Sequence, residues 1–174
     1  MSFIETERLL IRTWMPGDAA EAEAIFAKPE VMRYIGAGAA WSAQRTREAL
    51  ELMIDRYERD GIGVWPVVLK ASGRIVGECG LQPLAGTTEI ELAYLFDVPY
   101  WGKGYAFEAA SAVLDWGFRE QGLRRIVATI DPRNARSIAL VNRLGMRFER
   151  VVRAHKGDVL QYALARDDRA KGTA

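Results

Sequence analysis

The chain has one cysteine, Cys79, and one histidine, His155, among its 174 residues. A lone cysteine excludes an intramolecular disulfide, and a lone histidine excludes a histidine-rich metal centre, so no metal is expected. Charge of one sign is also lacking. The 24 Lys and Arg against 23 Asp and Glu leave a net charge of +1, too little for a global field that would gather nucleic acid or an anionic bilayer, so direct binding to either is not expected. No apolar run approaches the ~20 residues of a membrane span. Glu5 and Glu7 stand where a secretory leader would carry a basic start and an apolar stretch, so a soluble cytoplasmic protein is expected. Internal repeats, low-complexity blocks and Pro/Ser-rich linkers are missing as well, which leaves one domain. A chain near this length hides about 70% of its unfolded surface, so a core forms without disulfides or structural metals.

What is present is a regular succession of elements. Arg8 to Trp14 alternates polar and apolar residues as a strand does, and Pro16-Gly17-Asp18 ends it in a turn. A helix follows from about Asp18 to Ala27, stopped by Pro29, and Gly36-Ala37-Gly38-Ala39-Ala40 reads as a mobile loop. Ser42 starts a long helical pattern carrying Leu50, Met53, Ile54 and Tyr57, which ends near Asp60-Gly61. Strands are expected at Val64–Leu69, Arg74–Leu81 and Thr88–Phe96, joined by turns short enough for antiparallel hairpins. An apolar stripe from Ala106 to Phe118 marks a helix over Gly104 to Gln121. Arg125–Ile130 is a strand, Asn134–Leu144 a helix closed by Gly145, and Met146–Val152 and Asp158–Leu164 are the last strands. The order β-α-α-β-β-β-α-β-α-β-β gives a mixed α/β (α+β) domain over residues 1–165, with about seven strands and four helices. Residues 166–174 are charged or small and are expected to fray.

The passage with chemical content runs from Glu91 through Tyr94-Leu95-Phe96 and Trp101-Gly102-Lys103-Gly104-Tyr105-Ala106, from a strand through a glycine turn into a helix. The first turn of a helix offers unpaired N–H groups and the positive end of the dipole, and Gly102 and Gly104 let the backbone approach a ligand. A diphosphate suits such a place; tight strand-to-helix packing would demand the same glycines. No Ser or Thr follows Lys103, so this is not a P-loop, and the spacing is not that of a dinucleotide fingerprint.

Position adds more. Thr6-Glu7-Arg8-Leu9-Leu10-Ile11-Arg12, the segment Trp101 to Ala109, and Asn134-Ala135-Arg136-Ser137 through Leu144-Gly145-Met146 together resemble the GNAT acetyltransferase superfamily over nearly the full chain. The likeness is greatest to its branch of ribosomal-protein N-terminal acetyltransferases of the Rim type, in which a tryptophan often stands at Trp101. The resemblance implies a mostly antiparallel, splayed central sheet. It also implies acetyl-CoA between the strand ending near Phe96 and the strand Arg125–Ile130. Gly102 to Ala106 would receive the diphosphate, with Trp101 in the same loop, and the backbone of Tyr94, Leu95 and Phe96 would pair with the pantetheine arm and polarise the thioester carbonyl.

Acyl transfer to an amine needs a neutral nitrogen, a polarised carbonyl and a protonatable thiolate. Glu91 is expected as general base, directly or through water, with Glu89 two residues away on the same strand face as a like charge that would raise the pKa of one of the two. The tyrosine that many members of the superfamily carry in the last helix is Val141 here. The Rim-type branch implies instead that Ser137 hydrogen-bonds the sulfur, with Asn134 holding the pantetheine or the helix start; a thiolate could also leave unaided. Arg33, Tyr34 and Trp41, with Glu89, are the expected acceptor-binding set, although Trp41 and its neighbours could equally pack the first two helices. His155 reads as a surface residue, Cys79 as a small buried hydrophobe, and Trp14, Trp65 and Trp116 as core. The expected acceptor is the α-amino group of a protein or peptide. An antibiotic, polyamine or free amino acid remains open, as does a catalytically silent CoA-binding module. Pairing into a homodimer is a further expectation from the branch.

Overall fold

The computed structural model describes residues 4–154 and 157–171; His155 lies outside them. Among the described residues, eight strands form one sheet and six α-helices cover its faces. In chain order these are β1 (Ile4–Glu5), β2 (Leu9–Ile11), α1 (Ala19–Phe26), α2 (Pro29–Met32), α3 (Ala43–Asp60), β3 (Val64–Leu69), β4 (Arg74–Pro83), β5 (Ile90–Phe96), α4 (Tyr105–Arg119), β6 (Arg125–Ile130), α5 (Ala135–Arg143), β7 (Arg147–Ala154), β8 (Gly157–Ala165) and α6 (Arg166–Lys171). The spatial order is β1-β2-β3-β4-β5-β6-β8-β7. Every neighbouring pair is antiparallel except β5 and β6, which are parallel because α4 carries the chain across between them.

Two apolar clusters hold the layers together. One joins the α4 stripe (Ala109, Ala110, Val113, Leu114) and Val141 of α5 to Leu81, Leu92, Phe96, Ile126 and Ala128 of the sheet. The other, on the opposite face, joins Ala22, Ile25 and Phe26 of α1, Val31 and Met32 of α2 and Leu50 of α3 to Val68, Ile75 and Leu95. Trp14, Trp65 and Trp116 are buried, as expected. Cys79 is fully buried, and burial pushes its thiol well above the usual range, as fits a small core residue. Among the described residues, no helix is long and apolar enough to cross a membrane.

Three expectations need correction. The sheet has eight strands rather than seven, because Ile4 and Glu5 pair with Ile11 and Leu10, a segment too short to carry a period. Pro29 ends α1 but also opens α2 at its first position, where its missing N–H costs nothing, and with α6 this brings the described α-helices to six rather than four. Residues 166–171 do not fray: they form α6, tied down by Arg169, whose guanidinium binds Asp115 at 2.9 Å and also donates to the Leu144 carbonyl at 3.4 Å.

Candidate active site

The site begins where the sheet fails to stay closed. The parallel strands β5 and β6 pair at a single position, Glu91 with Val127, and then diverge. The Asp97 N–H donates to the Val76 carbonyl at 2.9 Å. By the alternation of an antiparallel ladder, Leu95 and Ala93 then also turn their backbone groups toward β4, and Tyr94 and Phe96 turn theirs toward the gap. The Phe96 carbonyl is taken by the Trp101 indole N–H at 2.6 Å. The amides of Tyr94 and Phe96 are thus an exposed strand edge inside a cleft of about 1260 Å³.

The floor of the cleft is the glycine bend. The Asp97 carboxylate caps a short turn at Val98–Tyr100 by accepting from the Val98 N–H at 2.8 Å. Gly102 (φ 73) and Gly104 (φ 84) then take left-handed conformations that a side chain resists. Gly104 is the residue before α4 and has no side chain to occupy the helix's first amides, so those of Tyr105, Ala106 and Phe107 remain available to an anion. Arg8 fixes the bend from outside, donating to the Lys103 carbonyl at 3.0 Å. Arg133, Arg136 and Arg143 also line the cleft; Arg136 stacks on Trp101 at 4.6 Å and Arg143 on Phe107 at 4.0 Å. A bend rich in N–H donors between arginines suits a phosphorylated ligand.

The cleft brings together Arg33, Tyr34, Tyr94, Leu95, Phe96, Trp101, Gly102, Gly104, Tyr105, Ala106, Asn134 and Ser137 from the sequence-derived set. Asn134 caps α5, its side-chain oxygen accepting from the Ser137 N–H at 3.2 Å, and both residues line the cleft. The Tyr94 hydroxyl is buried with no partner at hydrogen-bond distance; burial pushes the phenol up to about 12, against a smaller opposing pull from Ser137. Val141, one turn beyond Ser137, is wholly inside the core.

Four residues of the set lie outside the cleft walls. Lys103 extends over the Tyr100 ring at 5.7 Å. Trp41 packs edge-on against Phe26 at 5.2 Å, with Arg45 over its ring, so it joins α1 to α3. Glu91 accepts from the Thr129 hydroxyl at 3.1 Å. Its carboxyl is raised above the usual range by burial, which outweighs the Thr129 bond. The expected like-charge effect of Glu89 is not among the causes: Glu89 stands before β5 and is bound by Arg125 at 3.2 Å, which also grips Glu149. Sequence reasoning missed Glu78. It is buried in mid-sheet, its Oε2 has no hydrogen-bond partner, and burial alone pushes it up to about 8. The available signal was a carboxylate inside an apolar strand, Ile75-Val76-Gly77-Glu78-Cys79-Gly80-Leu81.

Known proteins resemble this chain in sequence and in fold. The profile of the acetyltransferase (GNAT) domain matches residues 8–147. The chain is 33% identical over 146 residues to YnaD, an uncharacterized N-acetyltransferase of Bacillus subtilis, covering 84% of this chain and 83% of YnaD. The crystal structure of a GNAT-family acetyltransferase from Bacillus anthracis superposes with a TM-score of 0.83 at 30% identity, over 95% of this chain and 99% of that one. RimL, a ribosomal L7/L12 α-N-protein acetyltransferase solved with coenzyme A, shares the fold with a TM-score of 0.82 at 17% identity, over 96% and 99% of the two chains.

Proposed function

This chain belongs to the GNAT family of acetyl-CoA-dependent acyltransferases, and from that premise we propose that it acetylates the α-amino group of a protein or peptide. The observation that carries the donor half is the opened β5–β6 pair running into a bend of free amides. The Gly102–Ala106 amides receive the diphosphate, with Arg136 and Arg143 beside it. The Tyr94 and Phe96 amides pair with the pantetheine arm as a neighbouring strand would, and one of them polarises the thioester carbonyl. The Ser137 hydroxyl faces the sulfur and assists its protonation. Glu91, held by Thr129 outside the cleft wall, acts through water as proton acceptor. Arg33 and Tyr34 form the acceptor's side of the opening.

The acceptor half is supported by the likeness in fold to RimL and by chemistry. An α-amino group with pKa ~8 is about a tenth neutral at pH 7, whereas a lysine amine at ~10.4 is almost wholly protonated. Titration calorimetry with acetyl-CoA tests the donor half; no heat at millimolar ligand rejects it. Thiol release with a peptide bearing a free N-terminus, with spermidine and with an aminoglycoside tests the acceptor half. Preference for either of the last two assigns a small-molecule amine instead, and binding without turnover on any amine assigns a silent CoA-binding module.

A further inference from the structure

The sheet is two ladders joined by one rung. β4 pairs with β5 along its whole length, from Pro83 with Ile90 to Gly77 with Phe96, and β8 pairs with β6 from Ala165 with Arg125 to Leu160 with Ile130. Among the described residues, β5 and β6 face each other at Glu91 and Val127 alone. One parallel rung, weaker per residue than an antiparallel one, makes a pivot between the two halves rather than a joint.

Side chains supply what the backbone does not. Glu89 and Arg125 each stand two residues before the rung, where a continued parallel ladder would place its next facing pair on the same side of the sheet. Arg125 Nε donates to both Glu89 oxygens at 3.2 Å. On the other side of the rung the Thr129 hydroxyl donates to Glu91. The remaining nitrogens of the Arg125 guanidinium go the opposite way, across β8: Nη1 donates to Glu149 Oε1 at 2.6 Å and Nη2 to Oε2. Glu149 is the extra residue of a register slip in β7, since Phe148 faces Tyr162 and Arg150 faces Gln161. Ala165 and Ala163, which face Arg125 and Val127 from β8, carry only methyl groups and leave the arginine room to cross.

The far anchor is itself held. Gln161, 1% exposed, donates to Glu149 Oε2 at 3.3 Å and accepts from Arg150 at 3.4 Å. The Arg125 charge is favoured first by the Glu149 bond and, past the opposing effect of burial, by Glu89. A lone, partly exposed ion pair contributes little to stability. A rigid fork that holds two carboxylates from different strands fixes geometry, and a lysine cannot copy it.

Resting on the acetyltransferase reading above, we propose that Arg125 is a positioning residue: through Glu89 it sets the angle at which β5 leaves β6, and with it the width of the cleft that takes acetyl-CoA. Arg125, Glu89 and Glu149 are not among the residues lining that cleft. Its two walls belong to different halves of the sheet, because Tyr94 and Phe96 ride on β5 while Asn134 and Ser137 follow β6. Phe96 lies beyond the rung by about 17 Å, at ~3.3 Å per residue. A pivot of about 5° at the rung moves it by roughly 1.5 Å, and a misplacement near ~1 Å is enough to cost about 10²-fold in rate.

The test sets Arg125→Met, Arg125→Lys, Glu89→Gln and the double variant Arg125→Met/Glu89→Gln beside the wild type, well below their melting temperatures. A tetrapeptide with a free α-amino group, spermidine and kanamycin serve as acceptors. Arg125→Met should weaken acetyl-CoA binding at least about fivefold by calorimetry and lower kcat about 10–10²-fold, with a smaller change in the acceptor KM. Arg125→Lys should recover only part of the loss, and the double variant should match Arg125→Met rather than multiply the two single losses. In the ligand-free protein, spin labels on Ala20→Cys of α1 and Asn142→Cys of α5, both exposed, should show a broader distance distribution with Met at 125 than with Arg; Cys79 is buried away from the label.

Wild-type kcat and acetyl-CoA affinity in Arg125→Met, full recovery with lysine, or losses that multiply in the double variant would each overturn the inference alone. A purely structural arginine would lower Tm and leave kcat and the label distances in place. A wild type that binds no acetyl-CoA, or turns over none of the amines, rejects the acetyltransferase reading instead, and the label distances then decide the pivot: an unbroadened distribution overturns it. Glu149→Gln, which frees the far end of the guanidinium, answers the same question if Arg125→Met does not fold.

Discussion

Arg8 and Glu108 meet through two nitrogens of one guanidinium, Nε and Nη2, each 2.6 Å from Glu108 Oε2. The other carboxylate oxygen accepts from Thr6 Oγ1 at 2.6 Å and from the Arg8 amide at 2.9 Å. The same arginine reaches the Lys103 carbonyl in the glycine bend. One residue thus ties the start of β2 to the first turn of α4 and to the ligand-facing backbone just before it.

Replacing Glu108 with Gln should weaken acetyl-CoA binding several-fold, as read by calorimetry, and change the acid sensitivity of the fold. Burial works to raise the Glu108 carboxyl, but the bonds from Thr6 and Arg8 win and hold it below the usual range. A depressed folded pKa means stability that is present above the unfolded value of ~4.3 and lost as pH falls through the folded one. Tm of the wild type should fall in that acid window, and the variant should lack this component.

Glu78 carries the opposite sign. Its folded value of about 8 lies above the unfolded ~4.3, so the folded state holds the extra proton and stability drains away as pH rises between the two. Thermal melts of Glu78→Gln should show a flatter Tm between pH 5 and 8 than the wild type, independent of any ligand.

Glu91→Gln should cut turnover roughly 10²–10⁴-fold with little change in acetyl-CoA affinity. Thr129→Val is the finer probe. Removing the one hydrogen bond that opposes burial should move the acid limb governed by Glu91 to higher pH. An unmoved profile in Thr129→Val would detach Glu91 from the rate.

Gly104→Ala places a side chain at φ 84 and 3.3 Å from the Arg8 guanidinium. The left-handed conformation costs about 1–2 kcal/mol. Acetyl-CoA affinity should drop at least tenfold, and Tm should fall modestly. Equal affinity in the variant would show that the bend's shape does not govern binding.

Much of this was readable in the residues because local signals and tertiary need agreed. β3 and β6 have the expected ends, Val64–Leu69 and Arg125–Ile130, since β-branched runs between turn residues have one comfortable conformation. The glycine bend was legible for the same reason: Gly102 and Gly104 mark where backbone must do what side chains forbid. Partnership was not legible. That Arg125 would claim Glu89 depends on β6 lying beside β5, and that Trp41 would rest on Phe26 depends on how α3 crosses α1. Burial of a single polar residue was equally hidden. Glu78 looks like any strand carboxylate until β3, β5 and α1 close around it.

The single rung between β5 and β6 sorts neighbouring amides of β5 into two populations. In deuterated water, the hydrogens on Ala93 and Leu95 should persist, sheltered by β4, while those on Tyr94 and Phe96 wash out quickly. Saturating thioester should slow the second pair until the strand exchanges uniformly, so an every-other-residue rhythm and its disappearance would report occupancy one atom at a time.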